Sequence, residues 1–153
     1  MSKYEIRNKY EYKNPKLETN SNDRISKFQK GPMAELRDTK RYDLEDRTLR
    51  FALRVRAFVK KLPKTVANIE DSKQLVNASG SVGANYIEAN EALSKKDFVM
   101  RIKICRKEAK ESRYWLKLVN TNGDSGLEQE REELIQEATE LMNIFGSILR
   151  KSE

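Results

Sequence analysis

The sequence predicts an all-α protein, an antiparallel up-down-up-down four-helix bundle, and three observations predict it. Apolar residues recur at alternating steps of three and four in four segments after Asp43. That is the period of helices packed side by side at a small angle. Charged residues make up 36% of the 153 residues, against only 6 glycines and 3 prolines, which favours helix over a turn-rich β fold. The segments are joined by connections of about 3–8 residues, so chain neighbours should run antiparallel.

The first segment places Leu44, Thr48, Phe51, Val55, Phe58 and Leu62 on one stripe, and Pro63 helps to end it. The second carries Leu75, Ser79, Val82, Tyr86, Ala89 and Leu93. The third carries Phe98, Ile102, Cys105, Ala109, Ser112, Leu116 and Val119, and the spacing of Ser94 and Asp97 suits its N-terminal cap. The fourth carries Leu134, Ala138, Leu141, Phe145 and Ile148, with Leu127 one heptad earlier. A loop, Asn120 to Gly126, precedes it, and Ser125 with Glu128 has the spacing that caps it.

Residues 1–42 read as a separate basic N-terminal extension, and residues 43–153 as the bundle. The extension holds Pro15 and Pro32, shows no sustained apolar period, and has 11 basic residues against 6 acidic. A flexible tail fits this composition. An arm held on a neighbouring subunit through Tyr4, Ile6, Tyr10 and Tyr12 is the alternative.

Composition also excludes chemistries. No histidine is present, which removes the commonest general base and the commonest metal ligand. Cys105 is the single cysteine, so neither an intrachain disulfide nor a cysteine-rich zinc site can form. At a heptad position it reads as a small buried hydrophobe. No apolar run long enough to span a bilayer occurs, and the first ten residues do not resemble a signal peptide. A cytoplasmic protein without cofactor, metal or catalytic activity is the expectation.

The third segment has three faces when its residues are set about 100° apart. The heptad stripe is one. Lys96, Lys103, Arg106, Lys107, Lys110, Arg113 and Lys117 form a cationic second face. Met100, Ile104, Trp115 and Leu118 form an apolar third, read here as a self-association surface with Trp115 as its anchor. The competing reading is a wider core. The first segment adds Arg47, Arg50, Arg54 and Lys61 on one side. Residues 43–64 have 7 basic and 3 acidic residues, and residues 94–119 have 9 and 3; residues 70–93 have 1 and 4, and residues 124–153 have 3 and 8. Two readings follow. Cationic and anionic helices pair with each other inside the assembly, or the cations meet a nucleic-acid phosphate backbone. The sites expected on the second reading are Arg47, Arg50 and Arg54 with the seven cations of the third segment. Tyr114, beside Lys107 and Lys110, is open to packing or to base stacking.

Small residues fill Ala78 to Asn85 of the second segment. Two helical glycines cost on the order of 1 kcal/mol each relative to alanine, so a close helix approach should offset them. The Gly80-Ser81-Val82-Gly83 run matches the GxxG of a KH domain, without the strands that would surround it. Asn85 and Glu88 are candidates for fixing register across an interface.

Leu62-Pro63-Lys64, Ala78 to Ala89, Ser94 to Phe98 and Lys107 to Leu116 occur in this order. Together they resemble the bacterial four-helix-bundle proteins encoded in intervening sequences of 23S rRNA genes, over about residues 43–150. The family is similar in turn to the accessory variability determinant of diversity-generating retroelements. The resemblance implies a ring-like homopentamer with no known catalytic activity, an association with rRNA or other RNA or DNA, and a reverse transcriptase as a possible partner. It transfers no catalytic residue. An adaptor binding an acidic protein is the alternative function.

Overall fold

The computed structural model describes residues 43–153, which form four helices joined by short turns. The reading of residues 1–42 as an extension lies outside the described residues. Helix α1 spans Leu44–Val59, α2 Val66–Asn90, α3 Lys95–Leu118 and α4 Ser125–Ser152. Cross-helix pairs fix the topology. Residues 45, 48 and 56 of α1 meet 90, 83 and 80 of α2 in descending order. Arg101 of α3 meets Asn85 of α2, while Asn120 just beyond α3 meets Asn68. Arg106 and Arg113 of α3 meet Gly146 and Thr139 of α4. Each neighbour is antiparallel, as expected for an up-down-up-down bundle.

The core is the stripe that the sequence predicts. Phe51, Val55 and Phe58 of α1, Leu75 and Val82 of α2, Phe98, Ile102 and Leu116 of α3, and Leu134, Leu141, Phe145 and Ile148 of α4 are all buried. Leu93 is the exception: it is 81% exposed, and Ala92 is buried instead. The physical reason is that α2 ends at Asn90, with Glu91 as its C-cap, so the helical phase stops before Leu93. Leu62 also lies past its helix but folds back and is buried.

The ends are capped by short polar side chains that take up orphan backbone N–H groups. Asp43, Thr65 and Ser94 accept from the first turns of α1, α2 and α3. The cap of α4 is Asp124, which accepts from the Leu127 N–H, and Ser125 is the first helical residue. The Ser125–Glu128 spacing therefore points one residue too late. Asp124 takes the role expected of Ser125, because its carboxylate reaches the Leu127 N–H of the first turn.

Gly83 explains the small-residue run of α2. A Cβ there would stand 3.0 Å from Thr48 Oγ1 and 3.3 Å from Thr48 Cβ. The Thr48 hydroxyl cannot swing aside, because it is buried and donates to Leu44 O at 2.7 Å. Gly83→Ala should therefore destabilise by about 1–2 kcal/mol in urea denaturation, despite alanine's helix propensity. Equal or greater stability would contradict this close approach.

Cys105 is buried, and burial pushes its thiol up to about 12 from an ordinary 9.0. Unfolding frees the thiol to ionise, so its contribution is intact below pH 9 and is lost as pH rises toward 12. The stability difference between wild type and Cys105→Ala should narrow progressively above about pH 9. A difference that stays constant in melts from about pH 7 to 11 would contradict this.

Candidate nucleic-acid interface

The cations of α1 and α3 have different fates, and this separates the two readings of the charge pattern. Arg47 is half-buried and gives Nε to Glu137 Oε1 at 2.7 Å and Nη2 to Glu137 Oε2 at 2.9 Å. The same Nη2 reaches Glu140 at 2.5 Å. The hydrogen bond to Glu137 does most to hold this guanidinium above its ordinary pKa, and burial opposes it. Arg54 reaches Glu133 at 3.4 Å and Lys61 reaches Glu130 at 2.9 Å. Arg50 pairs with Asp46 of its own helix at 3.0 Å. The α1 arginines expected to meet nucleic acid are thus occupied by carboxylates, and the pairs of Arg47, Arg54 and Lys61 run along the seam with α4. For α1, the pairing of cationic with anionic helices describes the geometry. Exposed pairs of this kind contribute about 0–1 kcal/mol each; the bidentate, half-buried Arg47 pair stands above them.

The α3 cations are arranged otherwise. Lys103, Arg106, Lys107, Lys110 and Arg113 line a groove of about 670 Å³ between α3 and α4, with Arg150 on its far wall. Among the described residues, none of Lys103, Arg106, Lys107, Lys110 and Arg150 makes an ion pair. Arg113 touches a hydroxyl, Thr139 Oγ1, at 3.4 Å. Glu153 is the single carboxylate on the groove wall among the described residues. Of the acids of α3 nearest in sequence, Glu111 accepts from Trp115 Nε1 at 3.4 Å, and burial, then Glu111, raises the Glu108 pKa, with Lys107 opposing the rise. Lys96 and Lys117 are exposed at the two ends of α3, beyond the groove.

Gly146 marks the middle of the groove. A Cβ on it would stand 3.5 Å from Arg150 Nη1 and 3.7 Å from Arg106 Nε. Two guanidinium groups therefore converge over a bare stretch of α4 backbone. Like charges repel, and an oxyanion between them would relieve that repulsion through charge-assisted hydrogen bonds. Sequence reasoning finds Arg106 but misses Arg150 and Gly146. Both lie on the most acidic segment, so segment charge hides them; their spacing of four, one helical turn apart, is the available signal.

The apolar third face of α3 is partly turned inward. Trp115 and Ile104 are half-buried, and Trp115 packs against the core. Met100 and Leu118 stay about half exposed. Asn85 bonds within the chain, donating to Ser81 O at 2.8 Å and accepting from Arg101 at 3.2 Å, so it fixes the α2–α3 register; Glu88 is exposed. A separate apolar hollow of about 570 Å³ lies where α1 turns into α2, beside Leu62, Pro63 and Ile69, and gathers no acid–base pair. Among the described residues no helix is long and apolar enough to cross a membrane, and no three side chains are grouped to hold a metal ion.

Fold and groove together define a four-helix bundle with a cation-lined seam between α3 and α4. The chain belongs to the 23S rRNA-intervening sequence protein family, whose model matches residues 40–147. A crystal structure of a protein of unknown function from the S23 ribosomal protein family of Bacteroides thetaiotaomicron is similar to it, at 32% identity and a TM-score of 0.60. The likeness covers 69% of this chain and 97% of that one. No curated protein matches.

Proposed function

We propose that this protein is a non-enzymatic, homo-oligomeric bundle that binds the phosphate backbone of RNA or DNA along the α3–α4 groove. The observation that carries the reading is the convergence of Arg106 and Arg150 over Gly146 with no carboxylate pairing either among the described residues. Folding alone has no use for such an arrangement, since like charges side by side work against the compact state. The groove residues supply positioning contacts, which carry no sequence information, so recognition is by backbone. Arg47 and Arg54 serve the seam with α4, Arg50 pairs with Asp46 of its own helix, and none of the three takes part.

Fluorescence anisotropy with a labelled RNA of about 20 nucleotides tests this. Lys107→Gln/Lys110→Gln should weaken binding about tenfold, as loss of two phosphate contacts requires, while Arg50→Gln/Arg54→Gln leaves it within about twofold. Equal loss in both variants would move the interface away from the groove.

Self-association, in a ring of five as the resemblance implies, is supported by half-exposed Met100 and Leu118 on the face beside the cationic one. A protein partner such as a reverse transcriptase with an acidic surface would use the same cations, and its capture would survive nuclease treatment.

A further inference from the structure

We infer that the nucleic acid taken by this groove is single-stranded, with Tyr114 as the platform on which an unpaired base stacks. The inference rests on the phosphate-binding reading and adds the class of partner to it.

Two observations carry it. The first is exposure. Phe51, Phe58, Tyr86, Phe98 and Phe145 are buried and Trp115 is half-buried, whereas Tyr114 is 56% exposed. Among the described residues it is the exposed aromatic. The second is position and support. Tyr114 follows Lys110 by four residues and Lys107 by seven, so it stands one and two turns along the same side of α3. Its ring meets Trp115 edge-on, with centroids 5.0 Å apart and planes at 73°. Trp115 is in turn packed on the core and bonded to Glu111. The tyrosine is therefore steadied at its base while more than half of it stays in water.

A cationic track with an aromatic ring beside it is the arrangement that binds unpaired strands without sequence preference. The track follows the backbone, and every base has a face to stack. Arg106 and Tyr114 are eight residues apart, about 12 Å along the helix. A flexible strand can seat a phosphate at one and a base at the other. A duplex keeps its bases stacked on one another and has none to offer the ring.

The test is anisotropy with a labelled oligo(dT) of about 12 nucleotides and a duplex of equal length, against wild type, Tyr114→Ala and Tyr114→Phe. Circular dichroism melts confirm folding of each variant. Wild type should prefer the single strand. Tyr114→Ala should lose about 5- to 100-fold in single-strand affinity with duplex affinity unchanged, and Tyr114→Phe should keep most of it, because the ring and not the hydroxyl acts. If Tyr114→Ala weakens neither ligand, or strand and duplex bind wild type equally, the stacking role is overturned and the phosphate reading stands. If wild type binds neither ligand, the phosphate reading fails and this inference fails with it.

Discussion

Arg106→Glu/Arg150→Glu should lower the affinity for a labelled oligonucleotide by at least about 100-fold near 0.1 M salt, with the fold intact. Hydrogen bonds to charged groups are worth about 1.5–3 kcal/mol each, and two are removed together. The introduced carboxylates then repel the phosphates that the arginines would have met. Stability should change little, by about 0.5 kcal/mol or less, because both residues are exposed surface positions with no ion pair to lose among the described residues. Arg47→Gln makes the opposite pattern. It removes a half-buried bidentate partner from Glu137 and weakens the α1–α4 seam, yet leaves binding unaltered. Anisotropy and thermal melts on the same preparations separate the two. Binding that survives the double reversal would remove the groove from the interface.

Phe145→Ala should cost about 3–5 kcal/mol, the range for deleting a buried aromatic side chain. Phe145 is fully buried on α4, and its ring meets that of Tyr86 on α2 at a centroid distance of 5.9 Å. It reaches across the bundle between helices that are not chain neighbours, so its loss opens a cavity that no single helix can close by shifting. A domain of this size has a total stability of about 5–15 kcal/mol, so the variant retains a fraction of it. Urea denaturation should show a lower midpoint with little change in slope. A loss below about 1 kcal/mol would mean that Tyr86 and its neighbours collapse into the space.

The fold was legible because the heptad spacing from Leu44 to Ile148 records which side of each helix is buried, and apolar burial is the main force that brings helices together. It failed at Leu93, since a helix end is set by backbone hydrogen bonding that an apolar period does not report. It also missed Asn68, which is buried and donates to Pro63 O at 2.9 Å and Asn120 O at 2.8 Å, while accepting from Asn120 N at 2.8 Å. That side chain ties the α1–α2 and α3–α4 turns together at one end of the bundle. Asn120 lies 52 residues away, beyond the reach of local patterns. The candidate site was legible in part. Lys103, Lys107 and Lys110 stand out on α3, but helical phase cannot say which cations another helix has already paired. Arg47 and Arg106 look alike in sequence, and their surroundings alone separate them: two glutamates for the first, a second arginine for the other.

The salt dependence of oligonucleotide binding reads out phosphate contact in the α3–α4 groove. Each neutralised phosphate on a single strand contributes about 0.7 to the slope of log affinity against log salt concentration. Engagement of most of the groove's six cations predicts a slope of about −3 to −4, shallower by about 1 to 2 in Arg106→Glu/Arg150→Glu. A slope near zero for the wild-type protein, or one that the double substitution leaves unchanged, would contradict a phosphate-binding seam between α3 and α4.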